Sequence, residues 1–528
     1  MAFSKGLESH EHGCACAACA SGCGDDAAKA AAYDPFATTY SAPTGPSGAG
    51  LISGRSWADR ALTFAFPGAP TDYDTNAAEA GVQYGSGEPL TGFAAMNPAQ
   101  MAAVRDALDQ YAAVSGLSFT ELEDPGAATL RFAQSTAPST AWGYYPSAFE
   151  EGGDAWFGTE RGWYADPAKG GYGWHTIIHE IGHTVGLKHG HQSGAFGALE
   201  AFEDTMEHSV MTYRSFVDDP LVGGYSNEAG GYAQTLMQAD IAALQQLYGA
   251  NYDHNAGDTH YAWRPDTGET FVDGVGQGAP LANRIFMTVW DGGGVDTWDF
   301  SAFADQVIVD LAPGAGATLP EAQRAHLNRF EAGAETEILA ERSVYAARLH
   351  EGDERALIEN AIGGAGDDFM GGNRSDNELT GGRGTDALFG FAGRDTLIGE
   401  AGGDYLEGGR GADTLRGNGW HDELQGGHGW DVMFGGGGDD ILIGGMGNDK
   451  MRGGAGADRF EFAAGDGMDR ILDFEVGVDL IDLTALNASF GDLLIEDRAE
   501  GARVFADDVT IRLMRLDADD LSAVDFLF

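Results

Sequence analysis

The sequence predicts two architectures in one chain: an α+β domain organised around a histidine-rich helix, then an all-β parallel roll closed by capping strands. Three observations carry that prediction. Strand-like and helix-like stretches alternate through residues 46–255 and surround a helix dense in histidine. A nonapeptide opening on glycine then recurs for eleven consecutive units, from Gly363 to Glu461. Finally, 82 Asp and Glu stand against 30 Lys and Arg, a formal net charge of −52, and many of those carboxylates fall inside the repeat.

Residues 1–45 are rich in Ala, Gly, Ser and Pro without sustained periodicity, and read as a flexible leader or pro-segment. Residues 46–255 follow as the metal-binding domain and 256–528 as the roll domain. Ala61–Phe66 alternates as a strand does. Pro98–Ser115 places Met101, Val104, Leu108 and Tyr111 at helical spacing, with Asn97 as the cap. Leu117–Leu122, Thr129–Ala133 and Thr140–Tyr145 read as strands, the last stopped by Pro146. Helices are expected over Gly173–Gly186 and Gln238–Tyr248, with Gly249 ending the second. Arg470–Leu483 and Val504–Leu513 read as capping strands, whereas 304–350 fits neither pattern.

The histidine helix reads His179-Glu180-Ile181-Gly182-His183-Thr184-Val185-Gly186-Leu187-Lys188-His189. Positions i and i+4 share a helix face, so His179 and His183 can grip one metal ion with Glu180 beside it. His189 lies too far along to join them if the helix continues. Gly186, free to take a positive φ, supplies the break that returns the chain to the metal. Three neutral nitrogen ligands with a fourth position open is the layout of a catalytic zinc site, with Glu180 placed as its base.

In the repeat, a large apolar residue holds position 8 throughout, and position 6 is aspartate in every unit but one, where Asn377 stands. This is the G-G-x-G-x-D-x-U-x calcium pattern. Its glycines turn carbonyls inward, its aspartates add charge, and calcium, which takes about six to eight oxygen ligands, bridges stacked turns. The expected ligands are Gly364, Gly366 and Asp368; Gly382, Gly384 and Asp386; Asp395; Asp404; Gly409, Gly411 and Asp413; Asp422; Gly427, Gly429 and Asp431; Gly436, Gly438 and Asp440; Gly445, Gly447 and Asp449; and Gly454, Gly456 and Asp458. Ser375 and Trp420 replace the position-4 glycine of their units, which leaves calcium at those two turns open.

The 179–189 motif, the segment Ser209-Val210-Met211-Thr212-Tyr213 and the stretch Asp240–Asn251 together resemble the serralysin-type secreted metalloproteases, metzincins that carry RTX repeats. The resemblance runs from roughly residue 50 onward. It implies a metzincin zinc-protease fold, with Met211 in the Met-turn beneath the metal. It implies Tyr213 as an additional zinc ligand that swings away to hydrogen-bond the oxyanion. Calcium sites outside the repeats are implied at Asp291, Gly293 and Asp296 together with Asn255, Gly257 and Thr259, and at Glu359. Asn255 departs from the usual arginine, which matters little if the backbone carbonyl is the ligand.

The function so implied is a secreted, calcium-stabilised zinc endopeptidase acting on polypeptides, monomeric and exported by a type I (ABC-transporter) machinery. The sequence opens without a charged-then-apolar signal pattern. Its end, Val524-Asp525-Phe526-Leu527-Phe528, resembles the uncleaved signal of that export route, which an ordinary final strand would match equally. The strongly negative charge argues against nucleic acid as a partner, and no run of 18 apolar residues provides a membrane span. All four cysteines (Cys14, Cys16, Cys19 and Cys23) lie in the leader. They could form a metal or redox cluster, lend a thiolate to the open zinc position, or belong to a dispensable segment. The competing class is a non-catalytic calcium-binding RTX adhesin or surface protein, and the zinc motif argues against it.

Overall fold

The computed structural model describes residues 48–73, 84, 87–194, 196–221, 224–328, 336–486 and 488–528; the four cysteines, and with them the expected leader, lie outside these. The described residues form two compact units, one comprising those up to 298 together with 311–358, the other 299–310 and 359–528. Most regular structure is β, and no helix among the described residues is long and apolar enough to cross a membrane.

The first unit contains a five-stranded sheet: β1 (Ala61–Ala65), β2 (Ser118–Glu121), β3 (Leu130–Ser135), β4 (Ala141–Gly143) and β5 (Asp154–Gly158), in the order β2-β1-β3-β5-β4. The first four in that order run parallel, while β4 is antiparallel to β5, pairing Trp142 with Trp156, and forms one edge. Expectation anticipated every strand but β5. All five of its residues are buried, so no polar-apolar alternation marks it.

Among the described residues this unit has three α-helices: α1 (Pro98–Val114), α2 (Tyr172–Thr184) and α3 (Gln238–Tyr248). The α1 start follows its sequence: the Asn97 side chain accepts from Gln100 N–H at 3.0 Å, and Gln100 Oε1 accepts from Asn97 N–H at 2.7 Å. Val104, Leu108 and Tyr111 form its buried face, and Tyr111 donates to the Ile178 carbonyl at 2.7 Å, tying α1 to α2. Gly249, at φ +81°, ends α3.

The second unit is built on the nonapeptide. Successive units contribute alternately to two parallel sheets, so residues 18 apart are neighbours: Leu397 pairs with Leu415, and Leu406 with Leu424. Every position-8 side chain, from Met370 to Phe460, is fully buried. The roll's interior is therefore a thin double row of Leu, Met and Phe, whose removal from water is the hydrophobic contribution of each turn. Beyond the repeats, Leu480–Asp482 and then Phe526–Leu527 extend one sheet. Met468–Ile471, Val509–Met514, Gly501–Ala506 and Leu494–Arg498 extend the other. The chain's final apolar residues thus include a short terminal strand.

Candidate metal centres

On α2, His179 and His183 lie one turn apart. The helix stops at Thr184, two residues before the expected Gly186, which takes φ +104° and turns the chain so that His189 comes back. The three histidines are the one cluster of three or more metal-binding side chains among the described residues. Their Nε2 atoms are 3.0 Å apart between His183 and His189, and 3.2 Å between His189 and His179. A tetrahedral zinc with nitrogens at about 2.0–2.1 Å needs N···N separations of about 3.3 Å, so the side chains fit that ion.

Backbone carbonyls set the tautomers. His179 Nδ1 faces the Val210 carbonyl and His183 Nδ1 the Leu187 carbonyl, each at 2.7 Å. Nδ1–H donation there leaves Nε2 with a lone pair directed inward. Burial holds all three imidazoles below their usual range, His183 to about 4 and His189 to about 2, so they remain neutral.

Glu180 is buried beside them, with Oε2 meeting no donor. Burial raises its carboxyl to about 8, opposed by the Gly143 N–H on β4. Gly143 must be glycine: an added Cβ would lie 2.5 Å from the Glu180 carbonyl oxygen. Tyr213 packs over the cluster, its ring centroid 4.2 Å from that of His189 and 5.9 Å from His179. Burial, then the charge of Glu180, pushes its hydroxyl up to about 12, so it stays a donor. Met211 is fully buried beneath α2, and a Cβ at Gly182 would overlap its sulfur.

Asp240, near the start of α3, was not singled out from sequence. Its carboxylate accepts from Val210 N–H (2.8 Å), Ser209 Oγ (2.7 Å) and Met237 N–H (2.9 Å). It therefore fixes the turn whose carbonyl orients His179. Its place in the Asp240–Asn251 stretch was visible, but a helix N-terminal aspartate is ordinary enough to conceal this role.

The expected calcium residues group in two places. Around residues 255–296, Asp291 accepts from Gly293 N–H (2.8 Å) and Tyr261 OH (2.7 Å), and Asp296 accepts from Thr259 N–H (2.8 Å). Thr259 Oγ1 donates to the Gly257 carbonyl at 2.9 Å, and Asn255 sits at φ +48° with its amide on Tyr261 OH.

In the roll, the position-6 side chains form two ladders. The backbone N–H of each rung donates to Oδ1 of the rung 18 residues on, as from Asp368 to Asp386 and onward to Asp404, Asp422, Asp440 and Asp458. The other ladder runs from Asn377 through Asp395, Asp413 and Asp431 to Asp449. From Asp386 to Asp458, every aspartate rung leaves a buried Oδ2 without a donor. Burial, partly offset by the backbone N–H, raises these carboxyls, Asp386 and Asp422 to about 9 and Asp404 to about 7. Such oxygens suit a hard cation.

The expected glycines line the turns beside them: carbonyls of Gly366, Gly411, Gly429 and Gly438 lie against the glycine 18 residues later. Trp420 keeps this arrangement, adopting φ +83° with its carbonyl against Gly438, and Asp422 holds its rung. Two rungs differ. Asp368 Oδ2 accepts from Gly364 N–H at 2.6 Å, while Asn377 turns its amide nitrogen to the Glu359 carbonyl at 2.8 Å.

The histidine cluster lies in one unit and the acidic parallel roll in the other, and the comparisons with known proteins bear chiefly on the second. The family model for the RTX calcium-binding nonapeptide repeat matches residues 358–388, 389–424, 407–442, 425–460 and 434–468. That for the peptidase M10 serralysin C terminal matches 250–317. Serralysin G of Dickeya chrysanthemi is 32% identical over 300 residues, 54% of this chain and 56% of that protein. Metallopeptidase AprA of Pseudomonas marginalis is 30% identical over 303 residues, 54% of this chain and 57% of its own. The chain spans about half the length of the curated relatives it matches. Among solved structures, the solution structure of the AlgE6R3 subunit of the Azotobacter vinelandii mannuronan C5-epimerase is 32% identical over 24% of this chain and 80% of that one, with a TM-score of 0.20. The chain thus carries RTX repeats and a serralysin C-terminal segment, and is a relative of the serralysins over about half its length.

Proposed function

We propose that this chain is a secreted zinc-dependent endopeptidase of the serralysin type, with a metzincin catalytic domain and calcium-stabilised repeats. The observation that carries the reading is the convergence of three neutral imidazole Nε2 atoms beside a buried carboxylate whose Oε2 meets no donor. His179, His183 and His189 would hold the ion, with Tyr213 as a further ligand. Bound zinc would supply a Lewis acid for the scissile carbonyl and acidify the attacking water.

The chain's own residues do the rest. Glu180 takes the proton of the attacking water and returns it to the leaving amine. Tyr213, protonated at neutral pH, donates to the oxyanion as charge develops there. The free edge of β4 pairs with an extended polypeptide as an added strand, laying its backbone beside Glu180.

The calcium sites would comprise the loop of Asp291 and Asp296 with Asn255, Gly257 and Thr259, the Glu359 carboxylate, and the paired turns of the roll. Millimolar calcium outside the cell would neutralise the ladder and drive the roll to fold, consistent with type I export of an unfolded, self-repelling chain that then acts as a monomer. A non-catalytic adhesin would need the roll but has no use for the histidine cluster.

Glu180→Gln tests the catalytic reading. It should retain one zinc per chain and lose at least about 10³-fold in kcat/KM on a peptide substrate. Turnover within tenfold of wild type would overturn the assignment of the base.

A further inference from the structure

The strict period of the repeat stops at Glu461, but the ladder does not. We propose that Ala464–Leu472 is a twelfth, displaced nonapeptide, and that it forms an additional calcium site with the unit opening at Gly444. This seam joins the repeats to the C-terminal strands.

Two inserted residues, Phe462 and Ala463, hide the unit. After them the chain reads Ala464-Gly465-Asp466-Gly467-Met468-Asp469-Arg470-Ile471-Leu472, with glycine at positions 2 and 4, aspartate at 6 and an apolar residue at 8. Only position 1 departs from the pattern. The backbone agrees, with Gly465 at φ +94° and Gly467 at φ +95°, the left-handed region that Gly445 occupies at +81° one turn earlier. Ile471 is fully buried and is the sheet partner of Met451, as position 8 requires. Asp449 N–H donates to Asp469 Oδ1 at 2.9 Å. That is the ladder bond of every other rung, stretched from 18 residues to 20 by the insertion. The Gly447 carbonyl lies against Gly467 as that of Gly429 lies against Gly447.

The argument for an ion is separate from the pattern. Asp449 and Asp469 are both fully buried, and Oδ2 of each meets no hydrogen-bond donor. Two such carboxylate oxygens, on adjacent rungs whose carboxyl groups interact directly, offer a hard oxygen site to a divalent cation, and calcium suits a flexible, oxygen-only donor set. The next rung shows that position alone is not enough. Asp458 N–H donates to Asp479 Oδ1 at 3.0 Å, yet Asp479 Oδ2 accepts from Glu475 N–H at 2.8 Å, so that rung is satisfied within the chain. An ion at Asp449 and Asp469 would clamp the strand Met468–Ile471, and through it Val509–Met514, onto the roll.

This inference rests on the calcium reading of the repeats. Its test is Asp469→Asn in the full-length protein. Asn377 shows that this chain already accommodates asparagine on a rung. Bound calcium, counted by elemental analysis after equilibrium dialysis, should fall by one per chain with circular dichroism unchanged. An unchanged count in a folded variant overturns the site. Should the variant fail to fold, hydrogen exchange of the wild type decides: 464–472 must gain protection as calcium is added. Indifference there, while the repeats respond, overturns it equally. A wild-type chain that bound no calcium at all would instead sink the underlying reading of the repeats.

Discussion

The histidine cluster and the aspartate ladders both gather metal-binding atoms in a buried place, yet they solve opposite electrostatic problems. The three imidazoles are neutral, fixed by backbone carbonyls, and converge with no net charge to repel. The ladders stack carboxylates on adjacent rungs with one buried oxygen each lacking a donor, so their charge must meet a cation or a proton. On the proposed reading, the comparison teaches that one metal would be added to a finished site, whereas the other would complete the fold.

The largest expected effect follows from that difference. Chelating calcium from the intact protein should abolish most of the β-signal of 359–528 in far-ultraviolet circular dichroism, and readdition should restore it. Selective zinc removal should leave the spectrum intact. Comparable spectral losses from the two treatments would break the comparison. Because an unpaired buried charge costs several kcal/mol, nine donor-free oxygens from Asp386 to Asp458 leave the thin apolar core little chance of holding the metal-free roll together.

A smaller effect sharpens the claim that the histidine centre is built in advance. Asp240→Asn should keep the fold but weaken zinc binding about 10–100-fold, measured by competition with a chromophoric chelator, because an amide keeps one acceptor oxygen where the carboxylate has two, so it cannot accept from Ser209, Val210 and Met237 together and the turn that aims the Val210 carbonyl at His179 loosens. A change below threefold would mean that α2 alone suffices.

The smallest effect is a pH slope. Burial pushes the Asp240 carboxyl up to about 6, above its unfolded value near 4. The folded state then binds more protons than the unfolded state between pH 4 and 6, so this group's contribution to stability falls as pH rises through that window. The slope is at most about 1.4 kcal/mol per pH unit. Calcium-saturated wild type and Asp240→Asn should therefore differ in how their unfolding midpoints move between pH 4 and 6, and parallel curves would remove Asp240 as the cause.

Much of this architecture was legible because it depends on spacing. The i, i+4 histidines, the Gly186 break and the apolar residue every nine positions are local patterns, and each reappears in the structure. What escaped depends on burial or on interruption. Strand β5 is covered on both faces and shows no alternation; Asp240 acts through a turn distant in sequence; and two inserted residues put Asp469 out of phase. Residues 304–350 resisted because their strands, such as Ile308–Asp310 and Val344–Ala346, are only three residues long.

Gly143 has a consequence for how accurately a substrate would be read. Its peptide unit belongs to the edge strand and also supplies the N–H that restrains the Glu180 carboxylate, with no side chain between strand and helix. Register along the strand and aim of the base thus share a common datum. A polypeptide seated there would be measured from the same point at which its bond is broken, and displacing that strand would spoil alignment and proton transfer together.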